Sequence, residues 1–140
     1  MGYRVVDCDE VETVEDRPCE MQRLSGAAGL ENVAINRFRA APGEQIPLAY
    51  HYHETQEEAF YVLSGTMAVE TPAETYEVDE GSLFAVEPNS PQRAYNPANA
   101  TEAVEVLAIG APAVTGDTRM YDSEEENKSE RGNKPGGETE

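Results

Sequence analysis

The residues with the most to offer chemically are His51, His53 and Glu58. They lie in the stretch His51-Tyr52-His53-Glu54-Thr55-Gln56-Glu57-Glu58, which runs into apolar residues 59–63 and then Gly65. Both histidines of the chain are here. On a strand, residues two apart point to the same face, so His51 and His53 aim two imidazoles at one point. Glu58 follows His53 by five positions, a distance over which a short turn can return a carboxylate to that point. Two neutral imidazoles and a carboxylate suit a divalent ion such as Fe, Mn, Ni, Cu or Zn, with coordination positions left open. The competing reading of a His-x-His pair is two solvated or hydrogen-bonded histidines with no ion. The surrounding sequence bears on that choice.

The elements that must carry these residues are short strands. Residues 3–6 and 20–24 can each form one, with a turn-rich loop at 25–29 between the second and the next. Residues 32–40 alternate, with Val33 and Ile35 on one face and Ala34 and Phe38 on the other; the side taken by Arg37 and Arg39 stays open. Residues 46–53 form an extended entry to the histidines. Residues 59–63 and 83–86 suit buried strands. Residues 66–71 and 75–78 make a hairpin around Pro72, and residues 92–96 and 103–109 supply the remaining strands. Period-2 alternation puts Glu58, Phe60, Val62 and Ser64 inward and Glu57 outward, and puts Gln92, Ala94 and Asn96 inward with Arg93 and Tyr95 outward. Many short strands between Gly, Pro and Asn turns, without a long helical period, predict an all-β sandwich or barrel. Three segments follow: an N-terminal arm at 1–19, the barrel at 20–121 and an acidic tail at 122–140. That tail has no apolar residue to bury and is expected to be disordered.

The arrangement resembles the cupin superfamily of small double-stranded β-helix, or jelly-roll, barrels. The first cupin motif, G-x5-H-x-H-x(3,4)-E-x6-G, is met by His51, His53, Glu58 and Gly65, while Gln45 occupies the place of the leading glycine and Gly43 lies two residues early. The second, G-x5-P-x-G-x2-H-x3-N, runs from Gly81 to Asn96 without a gap. Within it Glu87 stands for the proline, Asn89 for the glycine and Gln92 for the histidine, with Pro88 one place late. The resemblance spans roughly residues 32–110. It implies a metal held by His51, His53 and Glu58, with the fourth position on Gln92, because the chain has no third histidine. A glutamine carbonyl is a weaker donor than imidazole; Gln92 can also hydrogen-bond a substrate or water, or be a satisfied polar group in the barrel. The imidazoles need orienting partners at their second nitrogens. Tyr52, Gln45 and Asn96 are near in sequence, but nothing in it assigns them that role. The family resemblance also implies a homodimer.

Charge and length narrow the function classes. The chain has 140 residues, enough for one domain with its own core. It has 28 acidic and 10 basic residues, a net charge of −18, which argues against nucleic acid and anionic membranes as partners. Eight of the ten basic residues are Arg, and the only lysines, Lys128 and Lys134, fall in the tail. This composition resembles that of proteins from salt-accumulating halophiles. No apolar run approaches the ~20 residues of a membrane span, and the N-terminus lacks a secretion-signal pattern, so a cytoplasmic location is expected. Cys8 and Cys19 form no Cys-x-x-Cys and read as reduced thiols.

Two functions remain. The first is a metal-dependent enzyme of oxygenase or isomerase type acting on a small oxygenated molecule. The second is a non-catalytic barrel for a small molecule or sugar, with a degenerate metal site; the missing third histidine favours it. The charge reading generates its own test. Raising salt from about 0.1 M to about 1 M shortens the Debye length from ~10 Å to ~3 Å, so the thermal midpoint is expected to rise. Equal midpoints at both concentrations would remove the halophile interpretation.

Overall fold

The structure is a computed structural model and describes residues 2–122. All but the first residue of the tail expected at 122–140 lies outside the described residues. A 3-10 turn at Cys8–Glu10 precedes ten strands and one short helix: β1 (Glu20–Arg23), α1 (Leu24–Ala28), β2 (Ala34–Ala40), β3 (His51–His53), β4 (Glu57–Ser64), β5 (Thr66–Glu70), β6 (Thr75–Asp79), β7 (Leu83–Val86), β8 (Arg93–Tyr95), β9 (Val104–Ala111) and β10 (Thr118–Met120).

The strands form two antiparallel layers. One is the sheet β1-β2-β9-β4-β7. The other joins the three-stranded sheet β6-β5-β8 and the pair β10-β3 through bridges at His51↔Gln92 and Gln45↔Tyr95. This is the expected jelly-roll, a double-stranded β-helix. Its core lies between the layers, where Val62, Met67, Val69, Val104 and Val106 are fully buried. Burying one such side chain is worth about 1.5–3 kcal/mol. The ion pairs of Arg37 and Arg39 with Glu105 lie on the outer face and are part-exposed; pairs of that kind contribute only ~0–1 kcal/mol. The core, not surface pairing, therefore holds this acidic chain together. Those pairs also settle the strand face left open by the sequence: both arginines of β2 point outward and Phe38 and Ala40 inward.

Several local expectations change. Residues 3–6 form no strand; Tyr3 and Val5 are 96% and 98% exposed, and a lone apolar pair without a partner strand has nothing to pack on. The loop expected at 25–29 is largely α1. Gly29 ends it in the left-handed region at φ 75°, with its N–H donating to the carbonyls of Gly26 and Ser25, and the Ser25 hydroxyl accepts the Ile35 N–H at 2.9 Å. The strands at 59–63 and 83–86, expected to be buried, are buried on one side only. Phe60 and Val62 face the core, while Tyr61, Leu63 and Leu83 are 39%, 39% and 62% exposed. An antiparallel sheet covered on one face alternates in this way even where the sequence is apolar throughout. β10 is a strand the sequence did not announce, because Thr-Arg-Met is short, exposed and without alternation. It exists through its pairing with β3.

Two motif positions have backbone explanations. Gly65 sits at φ +82°, and a Cβ there would lie 2.6 Å from the Ala103 carbonyl oxygen. Asn89, which replaces a motif glycine, adopts φ 66°; asparagine is one of the few side chains that tolerates this region. Cys8 and Cys19 are both free, and burial pushes the Cys19 thiol up to about 11. No described helix is long and apolar enough to cross a membrane.

The glycines yield a paired prediction. At Gly81 (φ +84°) an added Cβ meets nothing within 4 Å. Gly81→Ala is therefore expected to cost about 1 kcal/mol from the backbone alone. Gly65→Ala adds the collision and should cost more than about 2 kcal/mol. Urea unfolding of the two variants checks the order, and equal losses would contradict the packing at Gly65.

Candidate metal centre

β3 carries both histidines and is held on both edges. On one side it pairs with β10, Thr118 opposite His53 and Met120 opposite His51. On the other, His51 exchanges backbone hydrogen bonds with Gln92, N–H to carbonyl, at 3.2 and 2.9 Å. The Asn89 N–H also donates to the His53 carbonyl at 2.7 Å. Because His51 and Gln92 are direct cross-strand partners, their side chains leave the sheet side by side. Glu58 comes from β4 in the facing layer. The two layers thus bring one ligand atom each from His51, His53 and Glu58 within 4.8 Å of one another. Glu57, its neighbour, is exposed, in keeping with the alternation.

Hydrogen bonds fix the imidazoles. His51 Nδ1 lies 2.8 Å from the Ala49 carbonyl oxygen, so it must carry the proton and leave Nε2 with its lone pair. His53 Nδ1 lies 3.2 Å from Asp117 Oδ1, and its Nε2 lies 3.6 Å from Glu58 Oε1. The rings stand edge to face, centroids 4.9 Å apart. A carboxylate behind a histidine fixes its tautomer and raises its basicity as a ligand.

Charge in the cluster is poorly compensated. Burial pushes the His51 pKa down, reinforced by His53, against the Ala49 carbonyl that raises it. His51 is thus a neutral imidazole at pH 7, the form that binds a metal. Burial also pushes Glu58 up; Asp117 adds to the rise, and His53 and the Gln92 amide oppose it. The Gln92 contact is long, Nε2 donating to Glu58 Oε1 at 3.4 Å. Gln92 Oε1 is buried without a hydrogen-bond partner. An acid buried beside two imidazoles, next to an orphaned amide oxygen, is a site in want of positive charge or a donor. These residues fit a divalent ion.

Asp117 was not foreseen. Burial works to raise its pKa, but hydrogen bonds from the Thr55 N–H, His53, the Thr55 hydroxyl and the Gln56 N–H outweigh burial and hold it below the ordinary range. It lies 64 residues from His53 and outside the span of the motifs, so only the β3–β10 pairing could reveal it. Gln45 and Asn96, near in sequence, serve elsewhere. The Gln45 amide donates to the carbonyls of Pro47 and Leu48 and accepts from Arg93. Asn96 donates to the carbonyls of Ala40 and Glu102.

The cluster faces a cavity of about 530 Å³ whose walls include Met21, Phe38, Ile46, Phe60 and Ala108. An apolar chamber with a few convergent polar groups is the usual form of a small-molecule site.

Comparison with known proteins places the barrel. A family model described as a cupin domain matches residues 36–110. Polyketide synthase CurC of Streptomyces cyaneus is 32% identical over 95 residues, covering 62% of this chain and 58% of the relative, so this chain spans less than two thirds of that relative's length. The structure of the polyketide cyclase RemF from Streptomyces resistomycificus superposes with a TM-score of 0.71 at 18% identity, over 86% of this chain and 87% of that one. A sugar phosphate isomerase from Silicibacter pomeroyi gives a TM-score of 0.65 at 22% identity, over 77% and 75% of the two chains. At these identities the structural matches establish the fold.

Asp117→Asn separates the fold from the ligand field. The asparagine oxygen can still accept from the N–H groups of Thr55 and Gln56, but its amide cannot accept the proton on His53 Nδ1. Divalent-metal affinity is expected to fall about 10- to 100-fold, measured by competition with a chromophoric chelator, with the far-UV spectrum unchanged. Unaltered affinity would show that Asp117 serves the loop alone.

Proposed function

This chain belongs to the cupin domain family, and on that footing we propose that it binds a divalent metal through His51, His53 and Glu58 and acts as an isomerase- or cyclase-type enzyme on a small oxygenated molecule. The observation that carries the reading is the convergence of the three ligand groups, each imidazole already oriented, at the wall of a cavity large enough for a small substrate. The names of a polyketide cyclase and a sugar phosphate isomerase among the structural neighbours support this class.

A divalent ion bound here would act as a Lewis acid, polarising a substrate carbonyl or hydroxyl. The protein's own contributions are separate. His51 and His53 each present a fixed Nε2, and the Ala49 carbonyl and Asp117 keep their other nitrogens from rotating into the site. Glu58 supplies the negative charge that a dication requires. Gln92 Oε1, without a partner, can accept a substrate hydroxyl proton in a hydrogen bond or serve as a fourth, neutral ligand. Phe38, Phe60, Ile46 and Met21 keep the chamber apolar, which strengthens each electrostatic interaction inside it.

The second reading, a barrel that binds a ligand without metal or turnover, draws on one observation: Gln92 stands where a third imidazole would complete the set. A homodimer is a further part of the proposal, supported by Tyr61, Leu63 and Leu83 on the outer face of the larger sheet.

Elemental analysis of untagged protein, purified without chelator, tests the choice. About one equivalent of divalent metal per chain is expected, lost in His53→Gln while the fold persists. No uptake even after reconstitution would discard the metal enzyme in favour of the second reading.

A further inference from the structure

Arg17 stands apart from the other charges of the barrel. It belongs to the N-terminal arm, yet it lines the same cavity as His51, His53 and Glu58. Its backbone is constrained on both sides. Asp16 occupies the left-handed region at φ 62°, and Pro18 holds the residue before it extended. The arm is tied to β1 by the Thr13↔Gln22 bridge, by the Gln22 amide donating to the carbonyls of Cys8 and Val11, and by Val14 packed on the core. The arginine is thereby delivered to the cavity by a fixed segment.

Its charge is unanswered. Arg37, Arg39, Arg93 and Arg119 each hold a carboxylate. Arg17 makes no ion pair among the described residues, although the chain has 28 acids to offer. Its Nε atom is buried and has no hydrogen-bond partner. Burial works against its charge, and Arg23 adds a like charge nearby. A guanidinium cannot escape by losing its proton, so an unpaired, part-buried one is a standing cost unless an anion arrives. Its planar fork of N–H donors matches a carboxylate or a phosphate. Among the described residues Glu58 is the only carboxylate on the cavity wall; with a dication on Glu58, the chamber would be net positive inside a strongly negative protein.

We propose that Arg17 is the anion-recognition residue of this cavity, so that the ligand meets the His51, His53 and Glu58 cluster through an oxygenated group and sets a carboxylate or phosphate against Arg17. The ligand class is thus a small oxygenated acid or phosphate ester. The inference deepens the proposed function and rests on it for the metal end of the ligand. The arm becomes part of the site, and it brings to the cavity a cation that forms no ion pair with any described acid.

The test uses the full chain, first metal-free, so that anions cannot bind a metal instead. Nitrogen-15 correlation spectra report the arginine Nε–H groups, and the Arg17 signal is identified by its absence from Arg17→Lys. Titration with inorganic phosphate or acetate is expected to shift that signal saturably, while chloride at equal ionic strength does not. A response to phosphate alone points to a phosphate ester, and a response to acetate to a carboxylate. In metal-loaded protein, Arg17→Gln is expected to weaken phosphate binding at least about tenfold, the factor for a lost charge-assisted hydrogen bond, with metal content unchanged and Arg17→Lys intermediate. An Arg17 signal indifferent to both anions, or one that chloride moves equally, overturns the inference while the metal site stands. A responding Arg17 in a protein that takes up no metal sinks the metal enzyme and keeps the anion site.

Discussion

The Asp117 carboxylate is the contact on which the site depends. It accepts hydrogen bonds from the N–H groups of Thr55 and Gln56, from the Thr55 hydroxyl and from His53 Nδ1. One side chain therefore shapes the turn leading from β3 to β4, anchors the start of β10 and fixes the face of an imidazole. The turn matters because it carries the chain from one layer to the other, from His53 to Glu58. The low pKa of Asp117 follows from the same hydrogen bonds, which hold an anion in place although burial opposes it. An orienting group that is reliably charged is what a metal-ligating histidine needs behind it.

The remaining geometry comes from sheet register. His51 and Gln92 are cross-strand partners, so their side chains are neighbours by construction. Glu58 pairs with Gly110 in the facing sheet. A Cβ on Gly110 would lie 2.6 Å from Gln56 Cδ, so the glycine makes room for the Gln56 side chain, whose amide donates to the Pro112 carbonyl. Small residues and backbone pairings thus set the distances, and the ionisable groups are carried to positions they would not choose for themselves. Glu58 and the orphaned Gln92 oxygen show the cost: buried polar groups with too few partners. Such costs are usually concentrated where a ligand relieves them.

Charge is distributed on two scales. Over the whole chain the acidic excess amounts to a net charge of −18. Inside the barrel the described cavity wall carries one arginine and one carboxylate, and the cluster that contains the carboxylate is suited to a cation. The long-range field and the local one thereby serve different ends.

The sequence by itself determined the architecture and three of the groups in the cluster. Period-2 alternation and turn residues specify short strands, and His-x-His followed by Glu58 can be read as one point in space because strand geometry is rigid enough to predict it. The inward course of Gln92, Ala94 and Asn96 was legible for the same reason. What the sequence could not decide was anything depending on a partner far along the chain. Residues 59–63 and 83–86 read as buried because apolarity is local, whereas exposure of Tyr61 and Leu83 depends on which sheet face is covered. Residues 25–29 read as a loop because their glycines hide a helix that the Gly29 cap and the Ser25–Ile35 bond complete. Asp117 and Arg17 carry no motif at all. Asp117 reaches His53 and Arg17 reaches the cavity through pairing at a sheet edge, β10 against β3 and the arm against β1, and such pairing is fixed only once the tertiary structure has closed.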